Sequence, residues 1–405
     1  MKSFVALSVI LLATSASSST TSIPLAKLQG TGAYLKGSPD AGRARAAFLR
    51  RRTDNANTVP ATYKGYPSYV TKVGIGNPPT YYNLIVDTAS ANTFCGTGTP
   101  YVRTSTSAPT NENVHVNHEG GSFTGQEYTD QVTLAPNLVI AKQSIGDVNS
   151  SAGLDLTDGT LGLGPRDLTL GTLSPDSYVT IPTVMNNLVL HGHIQNEIFG
   201  IYFAPPSSND DTSEYLDGAL TYGGTNSSLY KGNLTWVPVT KTLPTSRYWG
   251  VDVTLCTYGN HTVIPTKTAG IVDTSTTLVL LADNFFSIYK NAIQGASMDP
   301  NTGLLEIPRS SIKHMRPLNF TLADRVFSLD VAAQLFPADQ NTAWGGVPEK
   351  RYGTVGPFFG KNSVVEDLDF VLGMKFLERY YSAFDADGNR VGFAQTNHTF
   401  STYEG

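Results

Sequence analysis

One stretch of this chain occurs twice. Asn83 to Asn92 reads NLIVDTASAN and Ala269 to Leu278 reads AGIVDTSTTL, so Ile-Val-Asp-Thr, one residue and a hydroxyl recur, with aspartates at 87 and 273. Each copy has a second echo downstream, Thr160-Leu161-Gly162 in the first half and Val371-Leu372-Gly373 in the second. A single motif of this kind is noise. Four in matching order, in two halves of similar length, indicate a duplicated unit with a pseudo-two-fold axis.

The rest of the pattern is consistent with two β-rich lobes. The chain has 405 residues, long enough for two separate cores, and only 15% of them are charged, against about a quarter in an average soluble domain. Hydrophobic content of 40% excludes a disordered chain and a multi-span membrane protein. Short strand-like runs separated by turns are read at Val70–Ile75, Tyr81–Val86, Tyr128–Leu134, Leu220–Tyr222, Leu234–Val239 and Tyr248–Tyr258. The first two flank Gly-Asn-Pro-Pro and form a hairpin. Helix-like stretches are few: Ile181–His191, Ala282–Ile293 and Leu372–Arg379. The expected class is all-β, bilobal, with a few short helices, the first lobe over 61–240 and the second over 241–400.

The N-terminus carries other information. Lys2 precedes the apolar run Phe4 to Ala13, followed by small residues near Ala16, the pattern of a secretory signal over 1–18 that is too short to span a membrane. From Ser19 to Arg52 there are seven basic residues (Lys27, Lys36, Arg43, Arg45, Arg50, Arg51, Arg52) and one acid, Asp40. With these and Lys2 removed, 20 Lys and Arg face 32 Asp and Glu, a formal charge of −12. A basic leader on an acidic body is expected to be a propeptide over 19–52, held partly by charge and released when acid protonates its partners. So acidic a body disfavours nucleic acid as a partner. A soluble, exported monomer is expected, with no membrane partner.

Two cysteines, Cys95 and Cys256, allow at most one disulfide; lying on either side of the chain centre, they are either bridged or buried as free thiols. Six acceptor sequons, at Asn149, Asn226, Asn233, Asn260, Asn319 and Asn397, suit a glycoprotein.

Placing one acid at the end of an apolar strand in each half, and relating the halves by a two-fold axis, brings two carboxyls face to face. Like charges at that range do not both ionise, so the pair holds one proton over an acidic window. The ionised member can take a proton from water while its partner polarises a peptide carbonyl. No metal, cofactor or covalent intermediate is required. Thr88 and Thr274 are placed to brace the strands, and Ser90 and Thr276 to bond the carboxylates.

These segments resemble the pepsin family of aspartic endopeptidases, and within it the fungal secreted acid proteases. The resemblance runs through VGIGNPPTYYNLIVDT, GSFTGQEYTDQVTL, DGTLGLGPRDLTLGTLSP, LTYGGTNSSLYKGNLTWVPVT, YWGVDV, NTGLLEIP and FLERYYSAFD, which cover nearly all of the chain after the leader. It implies a bilobal β fold with a cleft for extended polypeptide, a catalytic pair Asp87 and Asp273, an inter-lobe grip from Thr88 and Thr274, and a flap over His118, Glu119, Gly120, Gly121 and Ser122. The implied activity is endoproteolysis at acid pH, with a preference for apolar residues beside the cut.

Several positions depart from that family. The Asp-Thr-Gly signature reads Asp87-Thr88-Ala89 and Asp273-Thr274-Ser275. An added Cβ there costs strain if the backbone needs glycine. The flap tyrosine is replaced by His118 and the tryptophan it usually bonds by Phe94, so both ends of one interaction change together. Met374 stands where an Asp often follows the second echo. These departures leave room for a second reading, a weakened fold serving as a binding or inhibitor protein. A two-carboxylate glycosidase is a third reading, and needs acids about 5–10 Å apart. His191 and His193 lack a third ligand at metal spacing. Asp385 to Asn389 lacks the closing Glu of a calcium loop and is read as a hairpin turn.

Overall fold

The computed structural model describes residues 20–27, 32–51, 69–118, 121–152, 157–205, 218–358 and 368–400. The signal expected over 1–18 lies outside them, as do the flap residues Glu119 and Gly120.

The duplicated motif has a direct structural cause. In the first half, Thr80–Asp87 runs parallel to Gly159–Gly162, with Val86 opposite Leu161 and Asp87 opposite Gly162. In the second, Thr268–Val272 runs parallel to Phe370–Leu372, with Val272 opposite Leu372. Each aspartate therefore leaves an apolar strand whose parallel partner is the echo motif. All residues of Gly159–Gly162, Thr268–Val272 and Phe370–Leu372 are buried, as near-continuous apolar strands of parallel pairs are. The echo glycines are required by contact: a Cβ at Gly162 would overlap the backbone of Ala91, and one at Gly373 the carbonyls of Thr276 and Leu278.

A layer of six neighbouring strands underlies both halves. Its order is Lys231–Pro238, Arg390–Gln395, Tyr380–Asp385, Ile198–Phe203, Gly218–Tyr222 and Thr21–Lys27. Strands of the C-terminal third thus pair with strands of the first half, Ile198 opposite Asp385 and Ile201 opposite Ser382. The last of the six, Thr21–Lys27, comes from the basic leader and pairs antiparallel with Gly218–Tyr222. At its end Ala26 and Lys27 also meet Val70 and Tyr69. Beyond Thr21–Lys27 the strand order continues into the long hairpins of the first half, Ala108–His118 with Gly121–Ala135 and the latter with Leu138–Ala152.

Several expectations shift in detail. Tyr248–Tyr258 is two strands rather than one. Gly250–Val253 pairs with residues 268–271, whereas Leu255–Tyr258 pairs with 318–321 and 261–264, so the chain changes sheets at Thr254. The helix expected at Ile181 begins at Val184, because Thr183 caps it by accepting from the Asn186 N–H. The leader holds a helix, Ser38–Arg51, that was not expected. Pro39 in the first turn, Asp40 near the positive helix end and Ala41, Ala44, Ala46 and Ala47 all favour it. Cys95 and Cys256 are buried free thiols, and burial pushes both well above the usual thiol range. Asp385 to Asn389 is a hairpin turn, in which Asp385 accepts from the Gly388 N–H and from Arg390.

One buried acid in this frame gives the stability a pH dependence. Glu127, on the strand Gly121–Ala135, is 3% exposed. It accepts a hydrogen bond from the Ser144 hydroxyl through Oε1, while Oε2 has no partner among the described residues. Burial raises its carboxyl to about 7, against which the Ser144 bond works. The folded state thus holds this proton more firmly than the unfolded chain, so the stabilisation is complete below the unfolded value of 4.5 and is lost as pH rises through about 7. The loss is on the order of 3 kcal/mol. Thermal unfolding between pH 4 and pH 8 should show Tm falling across this window in the wild type, with a shallower slope in Glu127→Gln. Equal slopes would assign the pH dependence to other groups.

Candidate active site

Asp87 and Asp273 stand at the junction of the halves, 4% and 0% exposed. Their loops are locked by a reciprocal threonine grip. The Thr88 N–H donates to Thr274 Oγ1 at 3.0 Å, and the Thr274 N–H donates to Thr88 Oγ1 at 3.1 Å. Each hydroxyl then donates across the junction, Thr88 to the Val272 carbonyl at 3.0 Å and Thr274 to the Val86 carbonyl at 2.7 Å. No donor is stranded, and neither half can form this lattice alone.

The carboxylates are held in matching ways. Asp87 Oδ1 accepts from the Ala89 N–H at 2.9 Å, and its Oδ2 accepts from Ser90 Oγ at 2.8 Å. Asp273 Oδ1 accepts from the Ser275 N–H at 2.9 Å, and its Oδ2 accepts from Thr276 Oγ1 at 2.7 Å. Ala89 and Ser275 are absent from the non-glycine residues with positive φ, so the strain expected of their Cβ atoms does not arise. Their N–H groups reach the carboxylates as a glycine's would, so the changed signature gives no structural ground for the binding-protein reading.

Between the carboxylates lies a residue that sequence reasoning did not place there. Arg45, on the leader helix, donates from Nε to Asp273 Oδ2 at 2.8 Å and from Nη2 to Asp87 Oδ1 at 2.7 Å and Oδ2 at 2.9 Å. The same Nη2 lies 3.5 Å from Asp273 Oδ1, so one nitrogen reaches both acids. Arg45 is 4% exposed, and its helix is buried on almost every side, Ala41, Ala46 and Leu49 included. The signal for this helix was present in its alanines and Pro39; the signal for its docking was only the charge contrast.

Other leader cations also meet acids of the body. Lys27 lies 3.0 Å from Glu378, and Arg50 lies 3.6 Å from Asp369. Burial alone would raise Glu378, yet Lys27 and Lys375 together hold it down at about 2. In the flap, Gly121 pairs with His118 and Ser122 with Asn117, closing a hairpin, and Phe94 packs on Phe123 with ring centres 3.8 Å apart. The His118 side chain lies outside the described residues. His191 and His193 contact each other edge to face at 6.3 Å, and no group of three or more metal-ligating side chains occurs among the described residues.

Residues 68–396, which carry both aspartate loops, match the eukaryotic aspartyl protease family. The chain belongs to that family. Polyporopepsin of Irpex lacteus is 46% identical over 347 residues, covering 86% of this chain and 99% of that protein. Rhizopuspepsin-1 of Rhizopus niveus is 31% identical over 348 residues, 80% of this chain and 83% of that protein. The crystal structure of aspartic proteinase from Irpex lacteus superposes with a TM-score of 0.80 at 40% identity, covering 95% of this chain and 99% of that one. The protein is an aspartic endopeptidase with the bilobal pepsin-like fold.

The family's signature glycines are therefore replaceable where only the N–H is used. Ala89→Gly should leave kcat within about threefold of wild type while lowering stability by about 0.5–1 kcal/mol through the freer unfolded chain. Steady-state cleavage and denaturant unfolding measure the two effects, and a large gain in kcat would show that the Ala89 methyl disturbs the dyad.

Proposed function

We propose that the protein is a secreted zymogen whose leader blocks the dyad, and that the mature enzyme cleaves extended polypeptide in acid. Asp87 and Asp273 are the catalytic pair, supported by Thr88, Ser90, Thr274 and Thr276. The observation that carries this reading is Arg45, whose guanidinium bonds both carboxylates at 2.7–2.9 Å. A cation seated there keeps substrate from the acids. Once it leaves, the two carboxyls hold one proton between them: the ionised member draws a proton from water as the water attacks, and the other donates to the carbonyl oxygen. The hydroxyls of Ser90 and Thr276 each hold one oxygen of their carboxylate, which fixes how the two groups are oriented. The flap hairpin of His118, Gly121 and Ser122, whose first strand packs against the leader helix, covers substrate in the same position.

Residues 19–52 are the propeptide, with its end near Arg50-Arg51-Arg52. Export is supported by the apolar N-terminal run and by the sequons, of which Asn149, Asn233, Asn260 and Asn397 are exposed. Among the described residues no helix is long and apolar enough to cross a membrane, and a soluble monomer is the state we assign. One relative is named a probable vacuolar protease A, of Arthroderma benhamiae, so fractionation of the culture decides between the medium and an internal compartment.

Two variants test the dyad and the block separately. Asp87→Asn should abolish cleavage of a denatured protein at acid pH, and undiminished activity would refute the assignment. Arg45→Gln leaves buried carboxylates without their cation, a change that costs about 3–5 kcal/mol in comparable pairs. The uncleaved full chain carrying Arg45→Gln should therefore cleave peptide at a pH where the wild-type precursor is silent. Equal silence in both would place the block elsewhere in the leader.

A further inference from the structure

Two residues before Arg45, a second leader arginine lies buried in a pocket of the second lobe. Arg43 is 2% exposed. Its Nε donates to the Pro357 carbonyl at 3.1 Å and its Nη2 to the Gly303 carbonyl. Its Nη1 bonds Asp40 of the same helix at 2.7 Å. Asp283, in the first turn of the helix Asp283–Asn291, acts on the same guanidinium in the favourable sense, although burial pulls Arg43 down to about 10. The walls belong to the second lobe, close to the dyad. Gly42, next in the helix, faces the methyl of Thr276, and Val355–Pro357 pairs with Val279–Leu281, which follows the Asp273 loop.

Asp40 departs with the leader, but the two carbonyls and Asp283 belong to the body. Carbonyls alone do not select for charge; with the negative charge of Asp283 acting on the same site they suit a planar, forked cation better than a compact ammonium. We propose that the Arg43 pocket is a substrate subsite of the mature enzyme that selects an arginine side chain close to the scissile bond. The leader occupies this subsite and the dyad together, so the precursor is held by a mimic of the preferred side chain as well as by the Arg45 block. This rests on the reading that the leader leaves the cleft.

The test uses the full chain after acid activation and a neutral, apolar peptide in which arginine is walked position by position around the cut. Each arginine peptide is paired with its citrulline counterpart, which keeps the shape and removes the charge. At one position arginine should raise kcat/KM about tenfold over citrulline, the scale of a hydrogen bond to a charged group. The ratio should shrink in Asp283→Asn. Ratios near one at every position overturn the subsite, and this comparison needs no variant to fold. A tenfold ratio that survives Asp283→Asn overturns the part given to that carboxylate. Failure to cleave even the parent peptide strikes instead at the release reading, which cleavage of the citrulline series reports independently.

Discussion

Two carboxylates set side by side with almost no solvent on them are the demand that this fold is built to meet. Asp87 and Asp273 are 4% and 0% exposed, and a buried negative charge is costly unless it is hydrogen-bonded and paired. Each receives a backbone N–H and a hydroxyl from its own loop, and both share Arg45. The loops that make those donations are positioned only because the threonine grip crosses the junction. Each lobe therefore contributes half of a site that neither could hold in place alone, and the pseudo-symmetry of the chain is the simplest way to supply two matching halves.

Two of the leader's charged contacts with the body differ in charge balance. At the dyad, one guanidinium serves two carboxylates, leaving negative charge in excess. At the far end, Glu378 lies between Lys27 and Lys375, at 3.0 and 2.9 Å, leaving positive charge in excess. Glu378, held at about 2 despite burial, keeps its contribution down to that pH and loses it only as pH falls through it. The strand Thr21–Lys27 is in addition hydrogen-bonded into the six-strand layer. The strand end of the leader is therefore held by charge and by backbone pairing together. At the dyad the hold is a guanidinium, whose planar fork reaches both carboxylates at once.

The β architecture and the paired acids were legible because they are written as period and repetition. Ile-Val-Asp-Thr and its echo record one parallel strand pair built twice, and a parallel pair is buried on both faces, so its sequence is constrained throughout. Ser90 and Thr276 could be placed near the acids by their spacing alone. The leader helix was hidden for a different reason. Its burial is supplied by the cleft and not by an apolar stripe, so arginines stand where a core-facing helix would carry leucines, and the usual periodicity is missing. The division of Tyr248–Tyr258 was hidden too, since the switch at Thr254 depends on which neighbours are available rather than on local propensity.

The glycine signature shows how a sequence motif can be assigned the wrong physical cause. At Ala89 and Ser275 the dyad uses an N–H at 2.9 Å and the backbone lies outside the left-handed region, so a methyl or a hydroxymethyl group is accommodated. The Ser275 hydroxyl even lies buried without a hydrogen-bond partner among the described residues, a cost that nothing in the dyad geometry requires. Glycine is indispensable a strand away, at Gly162 and Gly373, where the Asp87 and Asp273 loops pass directly over the echo strands and leave no room for a Cβ. Both of those glycines are retained while both signature glycines are changed. What the active site demands of its backbone is close approach beneath the loops and donors within them, and only the first of these excludes every side chain.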